Sequence, residues 1–137
     1  GQKSAFDNRV IPMAVFSDPE IASVGLTEQQ AVSNGHKVVI GKIPLTATGR
    51  SKTLAKTEGF VKIVANTDGF VLGAHMVGVE ANDIIAEAAL AMETAATLED
   101  IACTIHTHPT MPEALMEAAE DALGKAIHLY RGKKKSG

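Results

Sequence analysis

The chain has 137 residues, enough to bury one sizeable core and too few to call for a second domain. Lys and Arg total 13 against 16 Asp and Glu, a formal charge of -3, so charge gives no general reason to bind nucleic acid or a membrane surface. Cys103 is the sole cysteine, which excludes an intrachain disulfide or a two-thiol redox centre, and no apolar run approaches the roughly 20 residues that span a bilayer.

Gly1-Gln2-Lys3-Ser4 opens without the apolar stretch of a signal peptide, so the expectation is a soluble protein of a reducing compartment: the cytoplasm, or the mitochondrial matrix in a eukaryote. Residues 1–10 are polar and aperiodic and read as an incoming linker or an expression remnant. Residues 11–16 form a short apolar stretch containing Pro12, which suits a first or edge strand because proline cannot donate to a sheet ladder. Ser17-Asp18-Pro19-Glu20 follows as a turn. Thr27 and Gln30 make a capping box for a short helix that Asn34-Gly35 should end.

The middle is rich in strands. One runs from Val38, Val39 and Ile40 to the break at Pro44, a second carries Phe60, Val61, Ile63 and Val64, and a third covers residues 70–79. Asn66-Thr67-Asp68-Gly69 lies between the last two, and its Asp-Gly pair supplies the φ > 0 positions of a tight hairpin turn. These two strands should be antiparallel neighbours. An isolated hairpin is marginal in water, so the sheet needs a cover.

Helices supply it. Residues 83–95 place Ile84, Ala88 and Met92 on one stripe and Ile85 and Ala89 on the next, and the many alanines permit close approach to a sheet. A short helix over residues 98–105 is capped by Thr97 and holds Cys103, read as a buried small hydrophobe in preference to a reactive thiolate. The last and longest helix begins after Thr110, with Leu115, Ala119, Ala122 and Ala126 beside Met116, Leu123 and Ile127. That broad apolar face can contact both its own sheet and a second subunit, with one thick core as the alternative. Lys133, Lys134 and Lys135 form a solvated basic tail. The division is therefore a linker at 1–10, one domain at 11–130 and a flexible tail at 131–137.

Strands first and helices after point to an α+β fold, an antiparallel sheet covered by helices. No Gly-x-Gly-x-x-Gly follows a strand, and Gly73 and Gly78 have the wrong spacing for one.

The chemistry concentrates at His106-Thr107-His108-Pro109-Thr110-Met111-Pro112-Glu113. In an extended chain His106 and His108 share a face, but a metal site needs two more ligands at a sensible spacing, and His36 and His75 stand in unrelated contexts. No metal is expected. Thr110 can cap the last helix with Glu113 reaching back, and Pro112 is harmless in a first turn. The same carboxylate could instead accept the ring N–H of His108, fixing its tautomer and raising its basicity, which suits proton transfer near neutral pH.

This run resembles the His-x-His-Pro-Thr-x-x-Glu signature of the dihydrolipoamide dehydrogenases, within the pyridine nucleotide–disulfide oxidoreductases. The stretch Ile11-Pro12-Met13-Ala14-Val15-Phe16-Ser17-Asp18-Pro19-Glu20-Ile21-Ala22-Ser23-Val24-Gly25 resembles the opening of that family's C-terminal interface domain. Gly73-Ala74-His75 and Glu87-Ala88-Ala89-Leu90-Ala91-Met92-Glu93 resemble its middle, so the likeness runs from residue 11 to 128. It implies a homodimer whose full chain carries FAD and NAD domains, with each active site built at the subunit boundary. The catalytic pair would be His108, as base towards the dihydrolipoamide thiol, and Glu113, which holds it. The backbone at His108 and Pro109 would lie near the flavin of the other subunit. Lipoyl domains of 2-oxo acid dehydrogenase complexes would be the partners.

The departures matter as much. The FAD and NAD domains and the two redox cysteines are not in this chain, so alone it is expected to be inert and to bind neither cofactor. Pro112 stands where many relatives carry a small polar residue. A glutathione-reductase-like parent shares the His-Pro-Thr-x-x-Glu core, although His106 and the Ala-Met-Glu helix favour the lipoamide enzyme. Mercuric reductase is disfavoured by the missing C-terminal cysteine pair. A dimerisation module without a catalytic parent is the alternative from another class.

Overall fold

Alternating burial along the strands decides how the sheet is covered. The computed structural model describes residues 8 and 10–129; the tail expected at 131–137, and all of the linker except residues 8 and 10, lie outside the described residues. Five strands, β1 (Met13–Val15), β2 (Ile21–Gly25), β3 (Val38–Pro44), β4 (Phe60–Asn66) and β5 (Val71–Val77), form one antiparallel sheet in the order β1-β2-β5-β4-β3. Their register aligns Ala22, Met76, Val61 and Ile43 in one buried row and Val24, Ala74, Ile63 and Gly41 in the next. Side chains two apart share a face, so both rows point the same way. The fold is α+β with an antiparallel sheet flanked by helices.

Helices α3 (Ala81–Glu93) and α5 (Glu113–Ala122) cover that face, α3 over β2 and β5, α5 over β3 and β4. Helix α4 (Leu98–Cys103) packs on α5. Ile84, Ile85, Ala88 and Ala91 of α3 and Ala114, Leu115, Ala118 and Ala119 of α5 complete the core. The opposite face carries α1 (Glu28–Ser33), where Glu28 pairs with Lys62 of β4 at 2.6 Å. The expected Thr27–Gln30 capping box is present, and Gly35 follows the helix at φ 85°.

Several expectations shift. The hairpin between β4 and β5 does not use two positive φ values: Gly69 takes φ 90°, whereas Thr67 and Asp68 do not enter that region. Asn66 accepts from the Gly69 amide at 3.0 Å and donates its own amide to Phe70 at 3.0 Å, which is a three-residue loop with a bulge. The bulge at Val64 and Ala65 absorbs the register change. The longest helix is α3, because α5 stops at Ala122. Gly124, at φ 73°, donates to Asp121 and Lys125 donates to Glu120, a Schellman terminator that leaves Ala126 and Ile127 beyond the helix. Cys103 is exposed, since α4 buries Leu98 and Ile101, three apart, and position 103 falls off that stripe. Helix α4 ends there and not at Ile105. Strand β2, a 3₁₀ turn at Leu45–Ala47 and α2 (Gly49–Thr53) have no counterpart in the periodicity.

Two contacts tie α5 to the sheet. At Gly41 of β3 an added Cβ would lie 1.8 Å from the Ala118 carbonyl, so the helix rests directly on the strand backbone. Strand β3 is an edge, and its Lys42 amide donates to the buried Asp121 carboxylate at 2.8 Å. Replacing Asp121 by alanine orphans that amide and should cost about 1–3 kcal/mol in urea unfolding, while Asp121→Asn, which keeps an acceptor, should recover most of the loss.

Candidate active site

The segment between α4 and α5 is irregular and carries the two histidines, and each is tied by its ring to a different neighbour. Thr104 ends α4 in an extended conformation. From there His106 turns inward: Nε2 lies 2.8 Å from Glu87 Oε1 on α3, Nδ1 lies 2.8 Å from the Thr104 carbonyl, and the side chain is 7% exposed. His108, two residues on, is 73% exposed. The two rings therefore do not share a face as they would in an extended chain: His106 is packed inward, His108 faces out, and the backbone bends at His108 and Pro109.

His108 donates from Nδ1 to Glu113 Oε1 at 2.7 Å. Among the described residues, its Nε2 has no hydrogen-bond partner. Glu113 opens α5, and its other oxygen, Oε2, accepts from the Thr110 amide at 2.7 Å. One carboxylate thus performs both tasks that the sequence left as alternatives, one oxygen each. The capping is one-sided, since the Thr110 hydroxyl donates to the Thr107 carbonyl at 2.7 Å and does not cap the helix, whose N-cap is Pro112.

Burial would raise the Glu113 pKa. The Thr110 amide, the His108 hydrogen bond and the charges of His108 and His106 together outweigh it, so the carboxyl sits below its ordinary value. A carboxylate depressed in the folded state adds stability above its unfolded value of about 4.3, and loses it as pH falls through the lower folded value. Urea midpoints followed from pH 7 down to pH 3 should fall across that window, and Glu113→Gln should flatten this part of the fall.

Behind the pair lies a cavity of about 160 Å³ lined by Thr48, Gly49 and Lys52 as well as His108, Glu113, Glu117 and His128. Glu117, one helical turn beyond Glu113, is buried and accepts from His128 Nδ1. Helical spacing makes Glu117 legible beside Glu113. Nothing in the sequence signals that residues 48–52 and 128 arrive there, or that Glu87 meets His106. Among the described residues no three His, Cys, Asp or Glu side chains gather to hold a metal ion. His36 and His75 lie elsewhere, His75 with its Nε2 3.0 Å from the Leu26 carbonyl.

An exposed histidine with one nitrogen bound to a carboxylate and the other unpartnered can take a proton from a group brought to it. The model of the pyridine nucleotide-disulphide oxidoreductase dimerisation domain matches residues 11–119. The chain belongs to that family.

Similarity to individual members is high. The chain is 56% identical over 129 residues to a dihydrolipoyl dehydrogenase of Haloferax volcanii, covering 93% of this chain and 27% of that protein. It is 52% identical over 130 residues to the dihydrolipoyl dehydrogenase of Geobacillus stearothermophilus, covering 94% and 28%. Among solved structures, LpdA from Mycobacterium tuberculosis matches with a TM-score of 0.76 at 29% identity, over 80% of this chain and 24% of that one. The Cu(II) complex of RclA, a HOCl-induced flavoprotein disulfide reductase from Escherichia coli, matches with a TM-score of 0.82 at 27% identity, over 88% and 27%. The dimerisation domain thus spans about a quarter of the length of these relatives. No helix among its described residues is long and apolar enough to cross a membrane.

Proposed function

We propose that residues 11–130 are the interface domain of a homodimeric dihydrolipoamide dehydrogenase and lend His108 and Glu113 to an active site completed by the partner subunit. The observation that carries this reading is the 2.7 Å bond from His108 Nδ1 to Glu113, with Nε2 left to an exposed surface. A ring donating from Nδ1 to a carboxylate is held with its lone pair on Nε2. That lone pair accepts the proton of a dihydrolipoamide thiol, and the thiolate so formed attacks a disulfide of the partner subunit. Two thiols of the substrate become the lipoamide disulfide while one enzyme disulfide becomes two thiols, so the electrons balance. Glu113 faces the positive ring that forms and stabilises it.

FAD and NAD, when bound by the other domains, supply the chemistry that carries the two electrons onward. The fit within this chain is limited to a rim: His108 and Pro109 are exposed, and the chain has no glycine-rich phosphate turn. These two residues would lie against the flavin, and no cofactor would bind the chain alone. The enzyme would work in the cytoplasm or the mitochondrial matrix on lipoyl domains of 2-oxo acid dehydrogenase complexes. Support for this parent comes from relatives named dihydrolipoyl dehydrogenase that are 56% and 52% identical to the chain.

The coding sequence upstream should specify an FAD motif, a Cys-x4-Cys pair and an NAD motif. Its full-length product should reduce NAD+ with dihydrolipoamide and fail with glutathione. Absence of those motifs, or turnover with glutathione instead, would overturn the reading.

A further inference from the structure

His106 is the unused half of the histidine pair, and its surroundings assign it a task. We propose that Glu87 and His106 form a latch that positions His108: a positioning pair, separate from the catalytic pair, that clamps the loop carrying His108 onto α3. The inference rests on the proposed acid–base role of His108.

Two bonds define the latch. A carbonyl can only accept, so His106 Nδ1 donates to Thr104. Nε2 faces Glu87 Oε1, 19 residues back along the chain. Both bonds form together only if Nδ1 carries a proton and a second proton sits between Nε2 and the carboxylate. In either arrangement His106 has no lone pair left for a substrate, whereas His108 Nε2 has no partner among the described residues. Two histidines of one short segment are thereby wired for opposite uses.

The location explains why a latch is needed. No regular element holds residues 104–112, and Ile105 beside it is 97% exposed. His108 is anchored on its far side by Glu113 of α5, and Thr110 by the same carboxylate. On the near side, the described side-chain bonds from this segment to α3 are those of His106. Helix α3 is buried against β2 and β5 through Ile84, Ile85 and Ala88, so Glu87 stands on a rigid base. The loop is consequently held at both ends, with its base between a carboxylate of α3 and a carboxylate of α5.

Loss of the latch should leave the fold and the cofactor sites intact and let His108 wander. Misplacement of a reacting group by about 1 Å can cost on the order of 100-fold in rate. In the full-length, FAD-loaded enzyme, Glu87→Ala should lower kcat for dihydrolipoamide by roughly 10- to 100-fold with KM within about 3-fold. NADH-dependent reduction of an artificial dye acceptor needs the cofactors and not His108, and should stay within about 2-fold of wild type. Glu87→Gln can donate its side-chain N–H to the lone pair that the Nδ1–H ring leaves on Nε2, and should recover turnover to within about 3-fold.

Wild-type dihydrolipoamide turnover in Glu87→Ala would overturn the latch. So would a parallel fall in both reactions with loss of FAD, because that marks a role in folding. His108→Gln, measured alongside, separates the two claims: if it turns over normally the proposed function fails, and if it is impaired while Glu87→Ala is not, the latch alone fails.

Discussion

His108→Gln in the full-length enzyme is expected to lower dihydrolipoamide oxidation by roughly 10²- to 10⁴-fold while FAD remains bound. Glutamine keeps an N–H that can donate to Glu113, so the side chain can stay in place. What it lacks is a basic lone pair where Nε2 stood, and without it the thiol must lose its proton to water. The loss should therefore appear in kcat and kcat/KM together, as for an interaction made in the transition state. Stopped-flow mixing with dihydrolipoamide would isolate the step, since flavin reduction by the substrate should slow and oxidation by NAD+ should not. Glu113→Gln should be milder, roughly 10-fold, because the amide oxygen still accepts from Nδ1 but carries no charge to balance the protonated ring. Unchanged flavin reduction in His108→Gln would remove the acid–base role.

Gly41→Ala should have the largest effect on stability. The new methyl would meet the Ala118 carbonyl at 1.8 Å and the Ala122 amide at 2.8 Å, and both are backbone atoms that no rotamer change can move aside. Helix α5 would have to lift from β3, opening the interface that Ala114, Ala118 and Ala119 fill. Overpacking of this kind costs about 3 kcal/mol, the upper end of the usual range. Lifting α5 also strains the bond from Asp121 to Lys42 and shifts Glu113 at the start of the same helix. Gly49→Ala is the control: its φ is not positive and its nearest neighbours, His108 Cε1 and Pro109 Cβ, lie at 3.7 and 3.8 Å. Denaturation midpoints should fall sharply for Gly41→Ala and barely for Gly49→Ala, and equal midpoints would refute the close approach of α5 to β3.

Legibility in the sequence followed the range of the interaction. The capping box at Thr27 and the cap at Thr97 were readable, since the groups involved lie within four residues; that Asp100 completes a box at Thr97 is seen in the structure. The hairpin between β4 and β5 was readable as a pairing, but its loop type was not, because Asp-Gly is compatible with more than one turn and here only Gly69 takes a positive φ. Cys103 was misplaced because an apolar triplet says nothing about which side of a short helix meets the core. The end of α5 was overrun because apolar spacing continued past Gly124, although the glycine itself was the stronger signal.

The candidate site divides along the same line. Sequence by itself determined that His108 and Glu113 would be neighbours, because five residues spanning the start of a helix cannot hold them far apart, and the matched motifs determined the family. It also determined an antiparallel sheet with helical cover, since strand and helix periods are local properties of the chain. Tertiary structure alone decided which histidine keeps an unpartnered nitrogen. Glu87 reaches His106 across 19 residues because α3 and α5 cover neighbouring strands of one sheet, and no local pattern encodes that meeting. It likewise brought residues 48–52 and His128 to the cavity behind Glu113. Such contacts follow from how close two backbones can pack, and at Gly41 that distance rests on the absence of a single methyl group.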